Sequence, residues 1–286
     1  ALADVLERYG GRSTLEEKAE AVRKLNDPES ISRTIRKFED PTLADMVMEA
    51  WINGLLSGPL THATNMVSNT LTNLVNVVEM GAAAGIGATR QAVGLGGKER
   101  VYLGEVGPRL YSMVNGAQES IIAARQAFAD DAAASIATGK LDVRRPGAIP
   151  SVTLNIPGLG PTKVGGAQVR IPGRLLSASD AFFQSMVKRQ EVSAIAYRKA
   201  AQEGLTGERM AQRIAELTAD PTKEMLEEAG KAQTYLTFTK PLGETGKTIQ
   251  RAFTKRPALK LIAPFIRTPT NIVKYAGERT VLSSFS

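Results

Sequence analysis

Cysteine is absent from the 286-residue sequence, histidine occurs once, as His62, and tryptophan occurs once, as Trp51. A chain without thiols forms no disulfide, and this one also lacks the Cys or paired His ligands of a zinc site. A Ser-His-acid triad would have to be built on His62. Because His62 follows a Gly-Pro helix start, we interpret it as a hydrogen-bonding residue of the first helical turn rather than a general base.

Other familiar catalytic patterns are also missing. Carboxylates such as Glu191 and Glu203 are scattered, without an evident partner for acid/base chemistry. Residues 243–248 have the sequence GETGKT, but Pro241 stands where a phosphate-binding loop has its first glycine. We interpret this stretch as a flexible turn between helices. The sequence therefore predicts a non-enzymatic chain, with no cofactor and no metal.

The formal net charge of +7 is concentrated towards the C-terminus, where residues 240–286 hold nine basic and two acidic side chains. Such a segment is attracted to nucleic acid, an anionic membrane surface or an acidic partner. The candidate contacts with DNA or an anionic surface are Lys247, Arg251, Lys255, Arg256, Lys260 and Arg267. Aromatic residues among the bases are compatible with single-strand binding. Apolar residues at near-helical spacing also fit a core whose bases form a solvated face.

Helix start signals recur along the chain, so the sequence predicts a mainly α fold. We expect a multi-helix, bundle-like body with a Pro/Gly-rich β-hairpin or extended arm. Four regions follow: N-terminal helices (1–50), long uncharged helices rich in small residues (51–140), the arm (141–173) and a basic helical region (174–286). Because the sequence begins at Ala1 and stops abruptly after Phe285 and Ser286, we expect a piece of a longer polypeptide.

Individual helices are placed by capping residues and prolines. Ser13 and Glu16 form a capping box for a helix ending near Leu25. A polar residue before proline predicts further starts at Asp40-Pro41, Asp220-Pro221 and Thr268-Pro269. The pairs Gly58-Pro59 and Gly107-Pro108 predict helices over about 60–93 and 108–138. Ser177 or Ser179 is predicted to begin a long helix that ends near Gly204.

The region 141–173 holds five prolines and six glycines. Between them, residues 151–156 and 168–171 alternate apolar and polar side chains as short strands do. These two segments predict a hairpin or extended arm. The alternative is a structureless linker between two helical domains.

Residues 52–89 carry a single charged side chain, Glu79. A ladder of amides lies along one face of the predicted helix and is followed by a run of small residues. The candidate contacts with a second subunit or a membrane are Asn65, Asn69, Asn73, Asn76, Gly81 and Gly85. Three interpretations remain open: a buried central helix whose amides are satisfied internally, packing between subunits, and conditional membrane insertion.

Three groups of short motifs resemble a known family, the large internal virion proteins, or ejection proteins, of tailed bacteriophages and the related polyvalent proteins. The motifs are WINGLLSGPLTH at 51–62; RIPGRLL, SDAFF, RQE and AYRKA within 170–200; and APFIRTPTNI at 263–272. With their order along the chain, they cover about residues 50–280. The lytic transglycosylase signature that some members carry is absent, and the family defines no catalytic residues for these motifs.

The resemblance implies a virion protein that is packed inside the capsid near the portal and expelled with or ahead of the genome. It implies a conduit for DNA across the host envelope, built as a homo-oligomer or with other ejection proteins and the portal or tail proteins. Phage DNA and the host inner membrane are further expected partners. The alternatives are a nucleic-acid-binding or processing module of a larger virion protein, and a static scaffold or plug near the portal.

Overall fold

The structure, a computed structural model, describes residues 41–94, 102–129, 147–158, 160–244, 246, 248 and 266–279. The predicted mainly α fold is confirmed. Within these ranges the α-helices are α1 (Leu43–Leu56), α2 (Pro59–Ala92), α3 (Val106–Asn115), α4 (Ala117–Ala129), α5 (Gly166–Val169), α6 (Ile171–Gln202), α7 (Gly207–Ala219), α8 (Lys223–Leu236) and α9 (Arg267–Glu278). A 3-10 helix (Leu103–Glu105) precedes α3.

The 32-residue helix α6 is the centre of the fold and contacts α1, α2, α3, α4, α7 and α8. Its C-terminal half packs against α7 and α8 in a cluster of Val192, Ile195, Ala196, Leu217, Met225 and Ala229. Near its N-terminus, Leu176 packs against Met48, Ile52 and Leu56 of α1. Small side chains such as Ala196, fully buried, let neighbouring helices approach α6 closely.

The arm is a two-stranded antiparallel hairpin, as the sequence predicts. Strand β1 (Ser151–Ile156) pairs with β2 (Gly160–Gly165), with Ser151 opposite Gly165 and Ile156 opposite Gly160. The predicted second strand at 168–171 was wrong, because those residues lie in α5 and at the start of α6. Pro172 fixes a helical φ in the first turn of α6, which overrides the short alternating pattern.

Several predicted helix starts need correction. Helix α2 begins at Pro59 as predicted, with Gly58 as its N-cap. Helices α1 and α8 are capped by Thr42 and Thr222 rather than by an aspartate before proline. The Thr42 hydroxyl accepts from the Asp45 N–H at 3.2 Å, and the Asp45 carboxylate accepts in return from the Thr42 N–H at 3.1 Å. A reciprocal capping box satisfies two helix-end donors, which favours the later start.

Two long helices also differ from their predicted bounds. The predicted helix over 108–138 is divided at Gly116 into α3 and α4. A Cβ at Gly116 would lie 2.5 Å from the Ser112 carbonyl oxygen of α3 and 2.8 Å from the Arg189 Cδ of α6, so a side chain would be crowded there. Helix α6 begins at Ile171, before Ser177 and Ser179. Helix α9 begins at Arg267, one residue before the predicted cap Thr268. The predicted capping box at 13–16 lies outside the described residues.

Candidate functional site

The amide ladder of α2 faces the interior of the chain. Asn69, Asn73 and Asn76 are 5%, 3% and 2% exposed. Asn65 Nδ2 donates to Ser179 Oγ of α6 at 3.1 Å, and Asn69 Nδ2 donates to the Asn65 carbonyl at 2.9 Å. Asn69, Asn73 and Asn76 are therefore buried within one chain, as the first of the three interpretations expects, although not all of their polar atoms are satisfied there. They do not lie on the surface that a second subunit or a membrane would meet.

This amide face secures α2 only weakly. Asn73 Oδ1 and Asn76 Nδ2 are buried, and they form no hydrogen bond with another group in the described ranges. A buried polar atom without a partner costs about 1–3 kcal/mol. An inward row of amides also removes less apolar surface from water than an inward row of leucines.

The opposite face of α2 is apolar and exposed. Leu60 and Val78 are 78% and 71% exposed, and Leu71 is 55% exposed. Val67 and Leu74 lie on the same side of the helix and are also exposed. The helix thus reverses the usual amphipathic arrangement, in which the apolar face is buried. Contiguous exposed apolar surface of this kind marks interaction sites.

The two candidate glycines of α2 lie in different surroundings. Gly81 is half-buried, and a Cβ there would lie 3.9 Å from a methyl group of Val106. Gly85 is exposed, and a Cβ there would meet no atom within 4 Å. Gly81 therefore helps α2 to approach the start of α3, whereas Gly85 leaves a shallow notch in the exposed face.

Glu79, the one charged residue between positions 52 and 89, forms an ion pair with Arg279. Arg279, which follows α9, donates from Nε to both carboxylate oxygens of Glu79, at 3.0 and 3.1 Å. Its guanidinium stacks over Tyr275 at 3.7 Å, and its Nη1 donates to the Tyr235 hydroxyl at 2.8 Å. The Tyr235 hydroxyl in turn donates to Glu278 at 2.7 Å. This arginine joins α2, α8 and α9.

Charged side chains are also buried where α3 meets α6. Arg109, 1% exposed, forms a bidentate pair with Glu191 and lies 3.9 Å from Glu105. Arg198 donates to both oxygens of Glu105, at 3.0 and 3.2 Å. The pKa of Arg198 is raised above its ordinary value. Burial alone would lower this pKa, but the hydrogen bond to Glu105 and the negative charge of Glu105 outweigh that effect. Glu191, a catalytic candidate in the sequence, is thus half of a buried ion pair.

The base of the hairpin is fixed to α1 by Glu49. Its carboxylate accepts from the backbone N–H groups of Gly147 and Ile149, at 2.8 and 2.6 Å, and from Arg170 at 3.2 Å. Nearby, Asn53 Oδ1 accepts from the Gly173 N–H at 3.1 Å. The buried Glu49 therefore positions the hairpin relative to the first turn of α6.

Side chains of the sequence motifs bond to distant backbone groups. The first and second motif groups meet through Asn53 and Gly173. In the third, the Asn271 side chain donates to the carbonyls of Phe238 and Lys240, at 2.9 and 2.8 Å. Phe238 is in the left-handed region, with φ of 57°. The Asn271 bonds support this turn after α8, because non-glycine residues rarely adopt positive φ.

Most of the basic candidates lie outside the described residues: Lys247, Arg251, Lys255, Arg256 and Lys260. Arg267 is the first residue of α9. The predicted turn over 243–248 was wrong at Glu244, Gly246 and Thr248, which are helical, whereas Gly243 is not helical. His62 lies half-buried in the first turn of α2, and Glu203 pairs with Arg213 at 3.1 Å.

Among the helices of the described ranges, none combines the length and apolar character that a membrane span requires. Within the same ranges, no three His, Cys, Asp or Glu side chains form a group that could hold a metal ion. Comparison with family models, curated proteins and solved structures finds no match to this chain. The candidate site is the helix α2, with an inward polar face and an outward apolar face.

Sequence reasoning found the amides of α2 but did not identify its exposed apolar face. The exposed row that includes Leu71, Leu74 and Val78 was visible as apolar residues at helical spacing. Which face turns inward depends on partners far along the chain, such as Ser179 and Arg279. Hydrogen-bond partners more than one hundred residues apart leave no local sequence signal.

Proposed function

We propose that this chain is a non-enzymatic structural protein of a phage virion, expelled with or ahead of the genome, which helps to form a DNA conduit through the host envelope. Before infection it lies in the capsid interior near the portal, and afterwards in the host envelope. Its partners are copies of itself or other ejection proteins, with the portal and tail proteins adjoining. DNA and the inner membrane are further partners in this proposal.

The reversed polarity of α2 is the observation that carries the proposal. Val78, 71% exposed, and Asn76, 2% exposed, stand two residues apart on opposite faces of one helix. An apolar face along a 34-residue helix favours a protein that acts in an assembly. Since the other face consists largely of amides, α2 is held to its own chain with little apolar burial, which suits a protein that rearranges during release.

Backbone contacts made by motif side chains give a second line of support. Asn53 of the first motif group bonds to the backbone of Gly173 in the second group, at the start of α6. Asn271 of the third group bonds to the backbone of Phe238, in the turn after α8. Residues that maintain a fold in this way fit motifs of a structural protein that has no catalytic residues.

Fractionation of host cells shortly after infection tests the proposal. An antibody to this chain is applied to emptied particles, the periplasm and the inner-membrane fraction. The proposal predicts the protein in the envelope fractions soon after DNA entry, with a major capsid protein as the control that stays outside. Recovery of the chain only in emptied particles would contradict release and would favour a static scaffold or plug.

The basic C-terminal segment favours a second candidate, a nucleic-acid-binding module of a larger virion protein. Neutralising phosphates with Lys and Arg makes binding strongly dependent on salt. Purified chain should then bind DNA with a steep salt dependence, which is lost when Lys255, Arg256 and Lys260 are changed to Glu. The matched control is Arg209, Arg213 and Lys223 changed to Glu. Equal retention of all three proteins on DNA at every salt concentration would remove this candidate.

A further inference from the structure

Ten positions on the exposed side of α2 follow one another at alternating intervals of four and three residues. We call this row the outer seam, and its members are Leu60, Thr64, Val67, Leu71, Leu74, Val78, Gly81, Gly85, Ala88 and Ala92. All are exposed except Gly81, which is half-buried. An average repeat of 3.5 residues keeps one helix row in continuous contact with a second helix.

The outer seam has no charged member, and this restricts its partner. Glu79, the one charge between residues 52 and 89, pairs with Arg279. Nucleic acid and anionic headgroups would find no countercharge along the seam. A helix lying in a membrane interface needs an exposed polar face opposite its apolar one, whereas the polar face of α2 is buried against its own chain. The seam therefore fits another uncharged, apolar helix row.

The sizes of the residues along the outer seam indicate which apolar helix row is its partner. The N-terminal half is bulky, and the C-terminal half after Val78 consists of glycine and alanine. When two such seams align antiparallel with full overlap, large residues face small ones in every pair except the central one. The opposed pairs are Leu60 with Ala92, Thr64 with Ala88, Val67 with Gly85, Leu71 with Gly81, and Leu74 with Val78. A parallel, in-register pair would place leucine on leucine and leave voids at the glycines, which interiors do not tolerate.

We propose that two copies of this chain associate through their outer seams, with the two α2 helices antiparallel. A helix of 34 residues is about 51 Å long, enough to build a continuous two-helix contact. The exposed seam supplies on the order of 700 Å² per copy, near the size of a standard stable interface. We expect a dissociation constant of roughly micromolar order, since the contact lacks aromatic anchors. The inference rests on the assembly role within the proposed function and specifies its partner.

The absence of cysteine makes the full chain a clean background for disulfide mapping. Val67→Cys and Gly85→Cys are prepared as separate proteins, because the antiparallel seam places these two positions opposite each other. A side chain at Gly85 would meet no atom within 4 Å, so the variant should fold. Val114→Cys, at a residue 75% exposed on α3, is the matched control. Each protein alone, and each pair as a mixture, is oxidised and examined by non-reducing electrophoresis.

The inference predicts linked dimers in the mixture of Val67→Cys and Gly85→Cys only. Either variant alone stays unlinked, because its two sulfurs lie about 27 Å apart along an antiparallel pair. Linking of Val67→Cys with itself but not with Gly85→Cys would overturn the antiparallel arrangement. Absence of linking, together with a monomer in sedimentation equilibrium at high protein concentration, would overturn self-association. Release into the envelope is scored in infected cells, so failure of release and failure of pairing give separate results.

Discussion

Arg279 and Glu79 are 200 residues apart in sequence, and the arginine Nε donates to both carboxylate oxygens, at 3.0 and 3.1 Å. Glu79 is the only charged residue in the 38-residue segment that forms most of α2. The pair therefore fixes both the rotation of α2 and the docking of α9. The same rotation buries Asn76 and exposes Val78.

Changing Glu79 to Gln should weaken this docking. The side chains of Arg279 and Glu79 are 24% and 40% exposed, so solvent screens much of their attraction. We expect a coupling free energy of about 1 kcal/mol between Glu79→Gln and Arg279→Met in a double-mutant cycle of urea unfolding. The coupling should diminish in high salt. A coupling indistinguishable from zero would show that the Glu79–Arg279 pair does not contribute to the docking of α9.

Arg109→Met should lower the free energy of unfolding far more. Glu191, 8% exposed, would lose its buried partner, while Glu105 remains paired with Arg198. Leaving one member of a buried ion pair uncompensated costs about 3–5 kcal/mol in free energy of unfolding. Chemical denaturation measures this loss. Arg213→Met, in an exposed cluster with Glu203 and Glu216, is the control and should leave the unfolding midpoint nearly unchanged. Equal effects of the two substitutions would contradict the described burial.

Because of Tyr235, we predict that the free energy of unfolding decreases at high pH. Burial and the hydrogen bond to Glu278 raise the pKa of its hydroxyl above the ordinary value near 10, although Arg279 opposes the shift. The folded state thus retains this proton more strongly than the unfolded state. The associated stability is fully present below about pH 10 and is lost as the pH rises through the folded pKa. Tyr235→Phe should remove this part of the pH slope in urea unfolding.

The control for this titration is Tyr111→Phe, which removes a phenol from a residue that is 72% exposed. It leaves the Tyr235 contacts with Glu278 and Arg279 in place. Its stability should follow the unsubstituted chain across the alkaline range. If Tyr111→Phe altered the slope as much as Tyr235→Phe, the Tyr235 contacts would not be its source.

Two glycine-to-alanine substitutions should change stability in opposite directions. A Cβ at Gly166 would lie 2.1 Å from the Ile149 carbonyl oxygen at the base of the hairpin. Gly166→Ala should therefore destabilise the chain by about 1–3 kcal/mol. A Cβ at Gly230, inside α8, would meet no atom within 4 Å, and alanine should stabilise that helix by about 0.5–1 kcal/mol. Thermal unfolding of both variants measures the difference, and the same sign for both would contradict it.

Local chemistry predicted much of the fold. The Gly58 and Pro59 start of α2 and the first hairpin strand were correct, because each depends on neighbouring residues alone. The division at Gly116 was missed, because the nearby Arg189 of α6 is distant in sequence and leaves no local signal. The second strand was misplaced because Pro172 belongs to the first turn of a long helix.

The candidate site was predicted only in part. The amides of α2 were identified as a row, but whether they face the interior of the chain or its surface was left open. That direction depends on Asn65 bonding to Ser179 and Glu79 bonding to Arg279, at separations of 114 and 200 residues. The exposure of the outer seam could not be predicted from the sequence, because these long-range contacts determine which face of α2 is buried. Assembly through α2 remains a proposal.

Two adjacent substitutions test the two-faced helix most directly. Asn73 is 3% exposed and Leu74 is 43% exposed, so they belong to opposite faces of α2. Sedimentation velocity over a concentration series, paired with urea unfolding of dilute protein, is measured for Asn73→Asp and Leu74→Asp. We predict that Leu74→Asp unfolds like the unsubstituted chain but stays monomeric, whereas Asn73→Asp loses several kcal/mol because a charge is buried. If Leu74→Asp associated normally, or destabilised the fold as much as Asn73→Asp does, the assignment of an inward amide face and an outward assembly face would be contradicted.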